Sequence, residues 1–298
     1  MALSVVLAVL AAMANAAASV LQRKAARNEP EDGALSLKIL LDLVRQPAWL
    51  GGIGSILTGF ALQVAALATG PILLIQPILI VELAFTLLLS SVVFHAQLHA
   101  REWIAILGMS GGVALLLVSL APSGGDPRAA SGGQWALGCG VTAAVVAALV
   151  LTGHRLRRER RAACLGVAAG IWFGFTAALV SGLTAEFAAG NGFRAWQTYA
   201  LLVAGPAGFF LLQNALRAGR LVASQPGLTL SNPLAAVGWG VAVFGEHVRG
   251  GAWFAADLAG VAAIVASTVL LARSPLLQSN DRDDEAPTGS VDSLSVES

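Results

Sequence analysis

Charge is what this sequence has least of. Asp, Glu, Lys and Arg make up 12% of its 298 residues, where a water-soluble domain carries roughly 25%. Half the usual charge cannot cover the surface of a soluble protein of this length. With 56% of the chain hydrophobic, the apolar excess has to face lipid. Cysteine is nearly absent too. Cys139 and Cys164 both lie in apolar stretches, with no His or second Cys at ligand spacing, so each reads as a small buried hydrophobe rather than half of a disulfide or metal site. A net charge of +1 gives no footing for a nucleic-acid partner.

Enzyme signatures are also lacking. His95, His99, His154 and His247 fall in the loops between apolar runs. His95 and His99 stand four apart, but no Glu follows His95 to make an HExxH zinc site. There is no phosphate loop and no carboxylate pair spaced for acid–base work. The chain therefore reads as a non-enzyme without a cofactor.

What is present is a series of long apolar runs. Nine stretches reach or approach the ~20 residues of a spanning helix: 2–22, 48–69, 72–94, 102–121, 134–153, 162–184, 196–215, 221–244 and 251–272. The fourth begins beside Arg101-Glu102, and the eighth contains two prolines. All have to be helices, because unpaired backbone is too costly in hydrocarbon and barrel strands would alternate in polarity. The expected fold is an all-α, polytopic transmembrane helical bundle of about nine spans. The first stretch has a signal-peptide rival in Ala14-Asn15-Ala16, but it lacks a basic start and its apolar run is long. Residues 33–45 form a short apolar segment with Lys38, Asp42 and Arg45 on one helical face. It reads as an interfacial amphipathic helix or as the remnant of a span. From Ser274 onward the chain is acidic and rich in Ser, Pro and Gly, which predicts a disordered cytosolic tail over 274–298.

Lys and Arg set the orientation. Fifteen of the eighteen lie in the loops after spans 1, 3, 5 and 7 or in the tail. The positive-inside bias puts these segments in the cytoplasm of a plasma-membrane protein, with the N-terminus outside. His154 to Arg161 holds five arginines in eight residues. It is a topogenic signal, compatible with an anionic-lipid site.

The chain also repeats itself at a spacing of 149–150 residues. Gly59-Phe60 matches Gly208-Phe209, Gln76-Pro77 matches Gln225-Pro226, and Gly70, Phe94 and Trp103 match Gly219, Phe244 and Trp253. Matching spans are five apart, so the copies enter the membrane from opposite sides. This is the pattern of an inverted-topology repeat, which lets one site face each side in turn. Residues 1–121 make the first repeat, and 122–273 an unpaired fifth span followed by the second. Three segments carry a family resemblance: Gly174 to Leu183, Leu62 to Pro77 with its copy Leu212 to Pro226, and Val243 to His247 with its helix-ending Gly245-Glu246. Over residues 1–273 the chain resembles the EamA-like branch of the drug/metabolite transporter superfamily. Members have ten spans as two fives, so loss of the first would leave nine and an external N-terminus. The nine-span pattern is also similar to the NIPA-type magnesium transporters. The resemblance implies gradient-driven transport of a small solute; a divalent-cation path and a non-transporting scaffold subunit are the alternatives. The implied partners are a small-molecule or cation substrate, membrane lipid and, as an open matter, a second copy of the chain.

Ionisable groups at bilayer depth mark the candidate site. Glu82 lies near the middle of span 3 and Asp257 seven residues into span 9, with no Lys or Arg deep in any span to pair with them. An unpaired carboxylate in low dielectric takes up a proton or holds a cation, which suits Glu82 to coupling. The alternative is a neutral Glu bonded to a neighbouring helix. Gln76-Pro77 and Gln225-Pro226 come next, because a proline frees a carbonyl one turn earlier. Asn232-Pro233 predicts a further break in span 8. Gln63, Gln213 and Asn214 are candidate cavity residues, Asn15 reads as interhelical glue, and a metal ligand set is not assigned. Trp49, Trp103, Trp135, Trp196 and Trp253 fall at span starts as interface anchors, whereas Trp172 and Trp239 lie deeper, within reach of a substrate.

Overall fold

The structure, a computed structural model, describes residues 1–27, 46–95, 97–218, 221–249, 251 and 253–272, without the side chains of Arg23, Ser123 and residues 221–226. The expected amphipathic segment at 33–45 and the acidic tail lie outside the described residues. Among the described residues the chain is all-α apart from one two-residue bridge. In order, the elements are α1 (Ala2–Arg27), α2 (Pro47–Thr69), α3 (Ile72–Leu79), α4 (Glu82–Val93), α5 (Ala100–Leu120), β1 (Ser123–Gly124), α6 (Gly132–His154), α7 (Arg158–Ala188), α8 (Trp196–Ala218), α9 (Leu221–Ala242), β2 (Glu246–His247) and α10 (Trp253–Ala272). Among the described residues, eight stretches are long and apolar enough to cross a membrane: α1, α2, α3 with α4, α5, α6, α7, α8 and α10. The eighth expected span, α9, is a helix of 22 residues but is not among these eight. Gln225, Ser231, Asn232 and two prolines interrupt its apolarity.

Several boundaries follow from local chemistry. Ser131 and Gln134 form a reciprocal capping box at the start of α6, with Ser131 N–H donating to Gln134 Oε1 at 2.8 Å. Glu102, the charge that opens span 4, is put to the same use. It is buried, accepts from His99 N–H at 2.8 Å and starts α5. A carboxylate there satisfies an orphan donor and sits at the positive end of the helix dipole.

Between helices in lipid, burying apolar surface gains little, so association rests on close packing of small residues. The longest helix, α7, has 31 residues and spans roughly 46 Å. It packs along α9, α8 and α6, while α1 lies along α2 and touches α3 and α4, and α5 lies on α10. A Cβ added to Gly174 on α7 would lie 2.6 Å from the Asn232 carbonyl of α9. No side chain fits there.

The three helix-break expectations, at Pro77, Pro226 and Pro233, resolve differently. Span 3 is broken. Its backbone bonds shorten to i→i−3 at Ile80, Val81 and Leu83, so α3 ends just past Pro77 and α4 begins at Glu82. Span 8 runs as one continuous helix through Pro226 and Asn232-Pro233 as α9. It packs closely along α7 there, and its helical backbone continues past both prolines, which corrects the expected breaks. Trp135 is corrected as well. It is buried at 5% exposure and clusters with Trp196, Trp239 and Phe244, with ring centroids 5.1–5.4 Å away.

Candidate functional site

The break in span 3 places a carboxylate at the first turn of a half-helix. Glu82 opens α4 and faces a cavity of about 230 Å³. Five more polar side chains line it: Asn15 from α1, Gln63 from α2, Gln76 from α3, and Thr229 and Asn232 from α9. Pro233 and Phe173 are also in the wall, so both halves of the chain contribute. The Asn15 side chain sits beside Glu82 in this wall, and of its amide only the N–H₂ end can donate to a carboxylate. The other end of that amide, Oδ1, lies against the bare Cα of Gly59 on α2, where a Cβ would strike it. Gly59 therefore fixes which way Asn15 points.

Two amides in this wall are incompletely used. Gln76 is 2% exposed, and its Nε2 has no hydrogen-bond partner. Asn232 Oδ1 is buried and equally without a partner. Unpaired buried polar atoms are costly, and here a donor and an acceptor belong to side chains that line a cavity which also holds an acid. A ligand with hydrogen-bonding groups of both kinds, or ordered water, would satisfy them.

Of the residues singled out in the sequence, the structure brings together Glu82, Gln76, Gln63 and Asn232, with Pro233 beside them and Pro77 next to Gln76. Asp257 is elsewhere. It sits on α10, the partner of α5, and its Oδ1 has no hydrogen bond. Gln213 does not line the cavity, and Asn214 lies in a different pocket, where its amide donates to Phe210 O at 2.8 Å. The side chains of Gln225 and Pro226 lie outside the described residues. Trp172 and Trp239 do not line the cavity either. Trp172 Nε1 donates to the Ala204 carbonyl of α8 at 2.7 Å, and Trp239 belongs to the aromatic cluster.

Sequence reasoning read Asn15 as interhelical glue, passed over Thr229 and Phe173, and gave Glu246 no role beyond a family motif. Glu246 is 5% exposed. It reaches across to the start of α3, where its two oxygens accept from Ile72 N–H and Leu73 N–H, each at 2.9 Å. A carboxylate from the end of the second half thus caps a helix of the first. Burial pushes the Glu246 carboxyl above the ordinary carboxylate range, and the two N–H donors oppose that shift. Beside it, β1 and β2 pair antiparallel in the register Ser123↔His247 and Gly124↔Glu246, extended by Asp126 N–H to Phe244 O at 3.1 Å. Gly124, Gly125 and Gly245 take positive φ here, at 69°, 83° and 68°, a conformation glycine adopts at no steric cost. The loops after α5 and α9 are thereby stitched together over one end of the bundle.

The chain is 28% identical over 288 residues to an uncharacterised protein of Corynebacterium glutamicum, an alignment covering 94% of this chain and 98% of that one. No family model matches the chain, and no solved structure matches it. The relative aligns from end to end, so it spans both sets of helices that wall the cavity. One enzyme-like string escaped the sequence reading. Gly108 to Gly112 spells GxSxG, but it lies within the continuous helix α5, with Gly112 packed on Gly260 and Ser110 exposed. A nucleophile elbow needs a strand-to-helix turn, so this string is a packing surface.

Proposed function

We propose that the protein is a secondary transporter that moves a small polar solute by alternating access, with Glu82 as its coupling group. The observation that carries this reading is a polar cavity with one carboxylate, walled by helices of both halves, while the loops after α5 and α9 seal one end of the bundle. Packing supports a nine-span inverted repeat in which α9 is the eighth span. The pair α1·α2 corresponds to α7·α8, α1 against α3 and α4 corresponds to α7 against α9, and α5·α10 and α3·α9 correspond to themselves. The lone α6 is the unpaired fifth span. Ser4 of α1 lies against Gly70, at the turn that leads to the Glu246 cap. This supports an N-terminus on the sealed face, which the charge count makes the outer one.

The EamA-like resemblance agrees with this reading. The magnesium reading stands as the alternative: magnesium keeps several of its waters and binds through one or two carboxylates, and this wall offers one carboxylate among amides.

Locking the sealed face tests the mechanism. With Cys139 and Cys164 changed to Ala, cysteines placed at Ser123 and His247 face each other across the β bridge, within disulfide reach. Oxidation should stop solute exchange by proteoliposomes and reduction should restore it. Exchange at an unchanged rate in the oxidised protein would show that this face does not open during transport.

A further inference from the structure

We propose that Arg158 and Arg161 at the start of α7 and Arg217 at the end of α8 form a site for the phosphate of an anionic phospholipid headgroup, at the end of the bundle away from the Glu246 cap. The three side chains line one pocket of about 380 Å³, together with Leu156, Asn214 and Ala218. No acidic side chain lines it. Neither ion pair found among the described residues involves these arginines. The Nε of Arg161 is buried without a hydrogen-bond partner, a costly state for a charged donor. Three like charges drawn to one place from two helices call for a multivalent anion. The guanidinium fork matches phosphate oxygens in pairs.

The surroundings favour a lipid over a free phosphate ion. Both helices are candidate membrane spans that end at this pocket. Leu156, in its wall, is 38% exposed, and Phe210, one helical turn deeper on α8 than Asn214, is 69% exposed. A phosphate ion uses neither residue. A phospholipid places its phosphate among the arginines and its acyl chain along the apolar face below.

The full-length protein in neutral detergent tests this by its unfolding temperature against rising short-chain phosphatidylglycerol. Phosphatidylcholine of the same chain length and inorganic phosphate serve as separate probes. Phosphatidylglycerol should stabilise the protein saturably. Each basic residue near a membrane surface contributes about 1 kcal/mol of attraction to anionic lipid, so Arg161→Gln with Arg217→Gln should raise the half-saturating concentration about 30-fold. Arg217→Gln alone changes only an exposed residue, so it reads out even where the double variant folds poorly; about 5-fold is expected. Arg194→Gln, in the loop after α7 at the other end, should change nothing. The assignment fails if wild type and Arg217→Gln respond alike, or if phosphatidylcholine stabilises equally. It also fails if inorganic phosphate alone saturates the effect. A lipid response that appears only after Asp281, Asp283, Asp284 and Glu285 are neutralised would give the site to the chain's own acidic tail.

Discussion

Asn15, Gly59 and Glu82 lie together: the Asn15 amide packs on the bare Gly59 and lines the cavity beside Glu82. Replacing Asn15 by Leu removes a polar neighbour of the acid at the cavity wall, at a cost of about 1–3 kcal/mol. The expected result is a lower unfolding temperature in detergent and loss of solute uptake. Gly59→Ala should mimic the uptake defect, because the new Cβ occupies the place of Asn15 Oδ1. Normal uptake by Gly59→Ala would show that Asn15 is packing only. Glu246 makes a separate prediction. Glu246→Ala strands two buried N–H groups at the head of α3, which should cost about 1–3 kcal/mol in thermal unfolding. Glu246→Gln keeps one acceptor oxygen and should recover part of that loss.

At the scale of elements, helix existence was legible and helix continuity was not. Apolar length alone located eight stretches that the structure confirms as candidate spans, since lipid leaves the backbone no alternative. Proline positions were a poorer guide. Pro77 precedes a real break and Pro233 does not, because the outcome depends on what packs against the helix: α9 is pressed onto glycines of α7, a contact no local pattern reveals. The acid of the site was legible from its depth in an apolar run. Asn15 was not, because a lone amide in a span has the same sequence signature whether it glues helices or orients a carboxylate. Glu246 was hidden because its partners, the N–H groups of Ile72 and Leu73, lie 174 and 173 residues away. The break in span 3 carries its own test. Pro77→Ala restores a backbone donor to the carbonyl one turn earlier and should stiffen α3, slowing exchange while leaving the unfolding temperature unchanged or raised. Unaltered exchange rates in that variant would make the proline dispensable.

At the scale of the whole molecule, one cavity with one acid lies between two sets of helices that pack in corresponding ways, and one end of the bundle is stitched shut. That arrangement makes sense for a solute path that opens to one face at a time, with Glu82 titrating or holding a cation as it does so. The most direct measurement is gradient-driven uptake into proteoliposomes, screening small polar metabolites and divalent cations with and without a proton gradient, for the wild-type protein and for Glu82→Gln. The glutamine keeps the volume and hydrogen bonding of the side chain but cannot titrate. The account predicts that wild type accumulates at least one small solute, that collapsing the gradient abolishes the accumulation, and that Glu82→Gln folds normally yet fails to accumulate it. Undiminished gradient-driven accumulation by Glu82→Gln, or none of any solute by the wild type, would contradict it.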